Sequence, residues 1–85
     1  MERYVKNTLF EYFEDETGVL ILDADVSTIY RLDKTGMIIL CQFSVSKTIE
    51  EVQNSLQDIF EDLDEQELKD FIQELIAKGI ICFSE

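Results

Sequence analysis

The chain has 85 residues, 46 % hydrophobic and 11 % aromatic, and its 19 acidic side chains outnumber the 7 basic ones, which gives a net charge of −12. This length allows one domain with one modest core, and the scattered basic residues argue against nucleic acid and anionic membrane as partners, because both require clustered Lys and Arg. Histidine is absent and there are two cysteines, which excludes a Ser-His-Asp triad, a His-based zinc site and a four-cysteine zinc site.

The first third of the chain predicts three strands. Residues 9–13 are aromatic, residues 19–22 form a short apolar run, and residues 26–32 are rich in strand formers. In the third strand the period of two places Val26, Thr28, Tyr30 and Leu32 on one face, with Ser27, Ile29 and Arg31 on the other. The short polar connections predict an antiparallel meander.

Two helices are predicted next. Asp33 is a candidate N-cap for a helix that contains the apolar residues 37–41 and ends near residues 43–44. Because it is apolar on nearly all sides, we expect it to be the most buried helix. Thr48 and Glu51 have the spacing of a capping box for the second helix. The apolar residues of that helix recur at helical spacing at Ile49, Val52, Leu56, Ile59 and Phe60.

The third helix has the clearest boundaries. Asp64 is the predicted N-cap, Glu67 would complete a capping box, and Leu63 can pack on Leu68. Its apolar stripe consists of Leu68, Phe71, Ile72, Leu75 and Ile76. Gly79 predicts a left-handed C-terminal cap, and residues 80–83 are expected to form an extended tail packed on the core.

This order of elements predicts an α+β fold, winged-helix-like, with a three-stranded antiparallel sheet followed by three helices, as a single domain over residues 1–85. Winged helices commonly read DNA with a basic helix in the major groove. Here the third helix carries four acidic residues against Lys69 and Lys78, so phosphate would repel it. The predicted shape suggests DNA binding and the charge opposes it.

Catalysis, cofactors and metals are not expected. The calcium-loop spacing D-x-[DN]-x-[DN]-G does not occur, and so small a domain cannot enclose a substrate between paired carboxylates. Cys41 and Cys82 each lie among apolar residues, which predicts two buried thiols. With no apolar run of about 20 residues and no secretory signal at the N-terminus, we expect a cytoplasmic protein.

Several segments taken together resemble the PqqD-like family. They are Tyr30-Arg31-Leu32-Asp33-Lys34-Thr35-Gly36, Thr48-Ile49-Glu50-Glu51-Val52, Leu68 through Leu75, and Lys78-Gly79-Ile80-Ile81. Each segment is common in helical domains, whereas their order and spacing over residues 19–83 is typical of this family. Asp33 departs from the family's usual Asn, which is a mild change because both residues cap helices.

The resemblance implies a stand-alone RiPP recognition element. Such proteins bind the leader segment of a ribosomally made precursor peptide and deliver it to a maturation enzyme, such as a leader peptidase or a radical SAM enzyme, as in PQQ or lasso-peptide biosynthesis. The leader would add as a β-strand in a groove between the third strand and the third helix. The residues expected to form this groove are Ser27, Thr28, Ile29, Tyr30, Arg31, Leu32, Glu67, Asp70, Phe71, Glu74, Leu75 and Lys78.

Two alternatives remain open at the level of sequence. One is an acidic winged-helix regulatory protein that acts through protein–protein contacts, and the other is a non-catalytic subunit of a larger enzyme. The groove residues also have simpler explanations, since Phe71 and Leu75 fit a core as well as a groove floor. Arg31, Glu74 and Lys78 would equally fit a solvated surface.

Overall fold

The computed structural model describes residues 1–23 and 25–84, in which strands and helices follow the chain in a simple order. The elements are β1 Arg3–Lys6, β2 Glu11–Asp15, β3 Gly18–Asp23, β4 Thr28–Asp33, α1 Lys34–Cys41, α2 Ile49–Gln57, α3 Glu65–Ala77 and β5 Ile81–Ser84. A short 3₁₀ turn, Gln42–Ser44, extends α1. No helix among these residues is long and apolar enough to cross a membrane.

The central sheet has the order β2-β3-β4, and both pairs of neighbouring strands are antiparallel. The predicted α+β fold, with a three-stranded antiparallel sheet followed by three helices, is confirmed. Strands β2 and β4 begin two residues later than predicted, because an Asx turn precedes each, whereas β3 begins one residue earlier than predicted, at Gly18. The Asn7 side chain accepts a hydrogen bond from the Leu9 amide, and Asp23 accepts one from the Asp25 amide. Ser27 consequently lies in a turn with φ 52° rather than in the third strand.

A second sheet, which the sequence did not predict, joins the two ends of the chain. Strand β1 pairs antiparallel with β5, so that Val5 lies opposite Cys82. The expected C-terminal tail is thus a paired strand. Tyr4 also exchanges backbone hydrogen bonds of 2.8 and 3.0 Å with Lys47, and these bonds attach the sheet of β1 and β5 to the segment before α2.

The predicted caps set the starts of the helices. Asp33 accepts a 2.8 Å hydrogen bond from the Gly36 amide, and Thr48 with Glu51 forms the complete capping box. Asp64 accepts hydrogen bonds from two amides of the first turn of α3. The predicted extension of α2 is wrong: the helix ends at Gln57, and residues 59 and 60 lie in the connection to α3.

The core lies between the inner face of the central sheet and the helices. It contains Tyr4, Val19, Ile21, Ile39, Leu40, Phe43, Val52, Leu56, Leu68, Ile72, Leu75, Ile80 and Ile81. The prediction of two buried cysteines is wrong, since both thiols are free and exposed. Cys41 ends α1 and its Sγ donates to Glu14, and Cys82 points outward from β5. Partial burial, and then the Glu14 carboxylate, raise the pKa of the Cys41 thiol.

Candidate functional site

Strand β4 forms one edge of the central sheet. Among residues 1–23 and 25–84, no strand pairs with its outer side. The carbonyl oxygen of Leu32 points at β3, since it lies so close to Gly18 of that strand that a Cβ on Gly18 would clash with it. Backbone groups along an antiparallel strand alternate in direction. The N–H and C=O groups of Ile29 and Arg31 therefore point toward the open side, where an extended chain can bind.

Helix α3 runs beside this open edge. The Lys78 ammonium lies 5.4 Å from the centre of the Tyr30 ring, which is a cation–π contact. Near the other end of the strand, a Cβ on Gly36 would stand 3.1 Å from both the Leu32 Cβ and the Phe71 Cζ. Residue 36 therefore has to be small for strand and helix to approach there. We call the space along the open side of β4 and next to α3 the edge groove.

The structure brings most of the predicted groove residues to the two sides of the edge groove, with differences in orientation. Tyr30 and Leu32 are half-buried on the face toward the helices. The side chains of Ile29 and Arg31 point to the opposite face of the sheet, so only their backbone groups face the groove. Thr28 is half-buried at the start of β4.

On the helix side, Phe71 is half-buried and Lys78 is exposed. Three predicted carboxylates on α3 are exposed, and these are Glu67, Asp70 and Glu74. Asp70 accepts a 3.0 Å hydrogen bond from the Gln66 side chain. Leu75 is only 1 % exposed, so it belongs to the core and has no surface to present to a peptide.

At the C-terminal end of β4 lies a pocket of about 660 Å³, which shares Phe71 with the edge groove and has a volume typical of ligand sites. Its apolar wall combines α1, the α2–α3 connection and α3, and consists of Gly36, Ile39, Ile59, Phe60, Leu63, Leu68 and Phe71. Its rim is acidic, with Asp33, Glu61, Asp62, Asp64 and Glu67, and no lining residue is Lys or Arg. We call this site the acidic-rimmed pocket.

The five carboxylates of the rim are not equally free to interact with a ligand. All five are exposed. Asp33 and Asp64 already accept hydrogen bonds from helix amides, whereas the other three carboxylates accept none from the residues that the structure describes. A ligand that fills the pocket therefore meets an apolar wall and carboxylates at the entrance. This combination favours a large apolar group next to a positive charge.

Sequence reasoning missed most of this pocket. Of its lining residues, only Glu67 and Phe71 belong to the predicted set. A usable signal was present in residues 59–63, where the apolar Ile59, Phe60 and Leu63 flank two acids directly before the Asp64 cap. Ile59 and Phe60 were assigned to the second helix and Leu63 to a contact with Leu68, and apolar residues at such positions are normally expected in the core.

The comparisons with known proteins identify the fold. No family model matches the chain, and none of the curated proteins matches it. A solved structure described as "TbiB1 in Complex with the TbiA(beta) Leader Peptide" superimposes with a TM-score of 0.76 at 21 % sequence identity. The match covers 91 % of this chain and 93 % of that one. The resemblance to the PqqD-like family stays a prediction.

Proposed function

We propose that this chain is a non-catalytic adaptor that binds the leader segment of a ribosomally made precursor peptide and delivers it to a modifying enzyme or peptidase. The observation that carries the proposal is the edge groove, in which an unpaired strand edge lies beside α3. The solved structure with the same fold contains a leader peptide, which supports this use of the fold.

Backbone pairing supplies the part of the affinity that does not depend on sequence. A leader in extended conformation pairs with the N–H and C=O groups of Ile29 and Arg31, and so becomes the next strand after β4. Each such hydrogen bond contributes roughly 0.5–1.5 kcal/mol net. Binding of this type depends on the direction of backbone groups, and a change of side chain at these two positions affects it little.

The acidic-rimmed pocket supplies selectivity. A large apolar side chain of the leader, buried against Ile59, Phe60 and Phe71, contributes about 1.5–3 kcal/mol. Because Glu61, Asp62 and Glu67 lie at the entrance, a Lys or Arg beside that apolar residue is favoured and an acidic neighbour is not. The leader should therefore carry an apolar anchor flanked by a basic residue.

The contact between Tyr30 and Lys78 lies toward the opposite end of the edge groove from the pocket. The ammonium is 5.4 Å from the ring centre, so a peptide side chain that packs on the ring has a cation beside it. An acidic or polar leader residue fits there. The leader is thus expected to be basic near the pocket and acidic or polar near Lys78. This distribution of charge would determine whether the leader runs parallel or antiparallel to β4.

The test is a titration of the chain against the fluorescently labelled leader of the precursor peptide encoded at its own locus, followed by anisotropy. We expect saturable binding with one leader per chain. The control is a scrambled leader of the same composition, which keeps the charge but loses the order of anchors. Absence of saturable binding, or equal binding of the scrambled peptide, would contradict the proposal.

A further inference from the structure

The outer face of the central sheet, turned away from the helices, is apolar and exposed. The register places Phe13, Leu20 and Arg31 in one row across the strands, and Glu11, Leu22 and Ile29 in the next. Phe13 is 56 % exposed, Leu20 39 % and Ile29 65 %, whereas Val19 and Ile21 on the inner face are buried. Exposed apolar side chains grouped on one face of a folded domain are a common feature of interaction sites.

Acidic residues surround this outer face. Glu11 and Asp15 each lie two residues from Phe13 in β2 and so share its face. Glu16 and Asp25 lie in the turns at the two ends of β3. In the part of the sheet that the structure describes, Arg31 is the one cation on this face, and its guanidinium donates a 3.3 Å hydrogen bond to the Thr17 hydroxyl. Arg31 also contributes to lowering the pKa of Asp15, after the hydrogen bonds from Thr17.

We propose that this outer face is the docking surface for the enzyme that acts on the bound precursor, and that the matching surface of the enzyme is apolar at its centre and rich in Lys and Arg around it. The inference rests on the proposed function and deepens it. Ile29 belongs both to the outer face, through its side chain, and to the strand edge where the leader pairs, through its backbone. An enzyme on this face is therefore adjacent to the chain that leaves the edge groove.

Charge selects this occupant over a second copy of the chain. Two outer faces brought together would place the acidic residues of both rims, Glu11 and Asp15 among them, in one interface between chains of net charge −12, and like charges across an interface are strongly unfavourable. A partner with a basic rim gains from the same carboxylates. The apolar centre then supplies the burial that usually dominates binding free energy.

The experiment uses the purified modifying enzyme or peptidase whose gene adjoins that of the precursor, titrated with the full chain by calorimetry without leader. The variants are Phe13→Lys and Leu20→Lys, which add a positive charge at the apolar centre. The matched control is Leu9→Lys, which makes the same change at a residue 83 % exposed in the turn before β2, outside the outer face. Every variant is also titrated with the leader and its fold is checked by circular dichroism.

We expect Phe13→Lys and Leu20→Lys to weaken enzyme binding about tenfold or more, while Leu9→Lys stays within about twofold of the wild type and all three bind the leader normally. Added salt should weaken the wild-type complex because the rim charges are exposed. Undiminished enzyme binding by both folded variants overturns the inference, as does a wild type that does not bind the enzyme. A chain that dimerises through this face in light scattering, and loses the dimer in Phe13→Lys, overturns it as well. Failure of the proposed function appears separately, in the leader titration.

Discussion

Substituting Ile29 by proline blocks the open side of β4 without disturbing its pairing with β3. Proline has no N–H and its ring occupies the space beside the backbone. The Ile29 N–H points away from β3, because the Leu32 carbonyl points toward it and the groups alternate. Proline is tolerated at an edge position whose N–H faces solvent, so the sheet should form while the leader loses its partner.

The expected loss follows from the bonds at that position. One backbone hydrogen bond of roughly 0.5–1.5 kcal/mol disappears, and the leader carbonyl that accepted it is left desolvated at a cost of roughly 1–3 kcal/mol. We therefore expect a loss of about 2 kcal/mol, which is about thirtyfold in the dissociation constant. Ile29→Ala retains the N–H and has a side chain on the outer face, so it should bind the leader nearly as well as the wild type.

The assay is the anisotropy titration with the labelled leader, with circular dichroism to confirm the fold of each variant. The matched control is Glu14→Pro, because Glu14 lies on the opposite edge of the same sheet, in β2, and by the same alternation its N–H points to the open side. It should bind normally. If folded Ile29→Pro binds the leader as tightly as Glu14→Pro does, pairing at β4 is refuted.

Other predictions concern charge, the leader and stability. Arg31→Glu and Glu74→Lys should change leader affinity modestly and with a salt dependence, because both side chains are exposed. Replacing the leader's apolar anchor by Ala should weaken the binding free energy by on the order of 2 kcal/mol or more. Calorimetry at two salt concentrations compares the three changes. Thr48→Ala should lower the free energy of unfolding by about 1 kcal/mol in a urea titration, since it removes the capping box of α2. The hydrogen bond from the Thr48 amide, with the Arg3 guanidinium nearby, holds the pKa of Glu51 below its ordinary 4.5. The contribution of Glu51 to stability is therefore present above pH 4.5 and is lost as the pH falls through the lowered pKa. In Glu51→Gln, the loss of stability that comes from this carboxyl at acid pH should disappear. Duplex DNA should not bind detectably at about 150 mM salt in a gel shift, because a chain of charge −12 releases no counterions from phosphate.

The parts of the fold that the sequence predicted are those whose interactions span a few residues. The caps at Asp33, Thr48 and Asp64 join a side chain to an amide two or three positions away, so residue type and spacing are sufficient to find them. The left-handed Gly79, with φ 75°, is local in the same way. The alternation along residues 28–32 likewise assigned each side chain of β4 to its face.

The parts that the sequence did not predict depend on residues far apart in the chain. Strand β1 has its partner at the other terminus, and four residues without alternation carry no signal of their own. The acidic-rimmed pocket requires α1, the α2–α3 connection and α3 in place together. The exposure of Cys41 depends on the residue at which α1 ends, because its helix is apolar on most sides and only the packing selects the face that is covered.

The most direct test of leader binding at the edge groove is backbone amide hydrogen exchange, measured by NMR on the ¹⁵N-labelled chain with and without saturating leader. Pairing with β3 already protects the amides of Tyr30 and Leu32, whereas those of Ile29 and Arg31 face the open side of β4. Pairing of the leader with β4 should slow exchange at Ile29 and Arg31 and leave Glu14, on the opposite edge, unchanged. Protection at β2, or unchanged exchange at both β4 amides in the saturated complex, would contradict it.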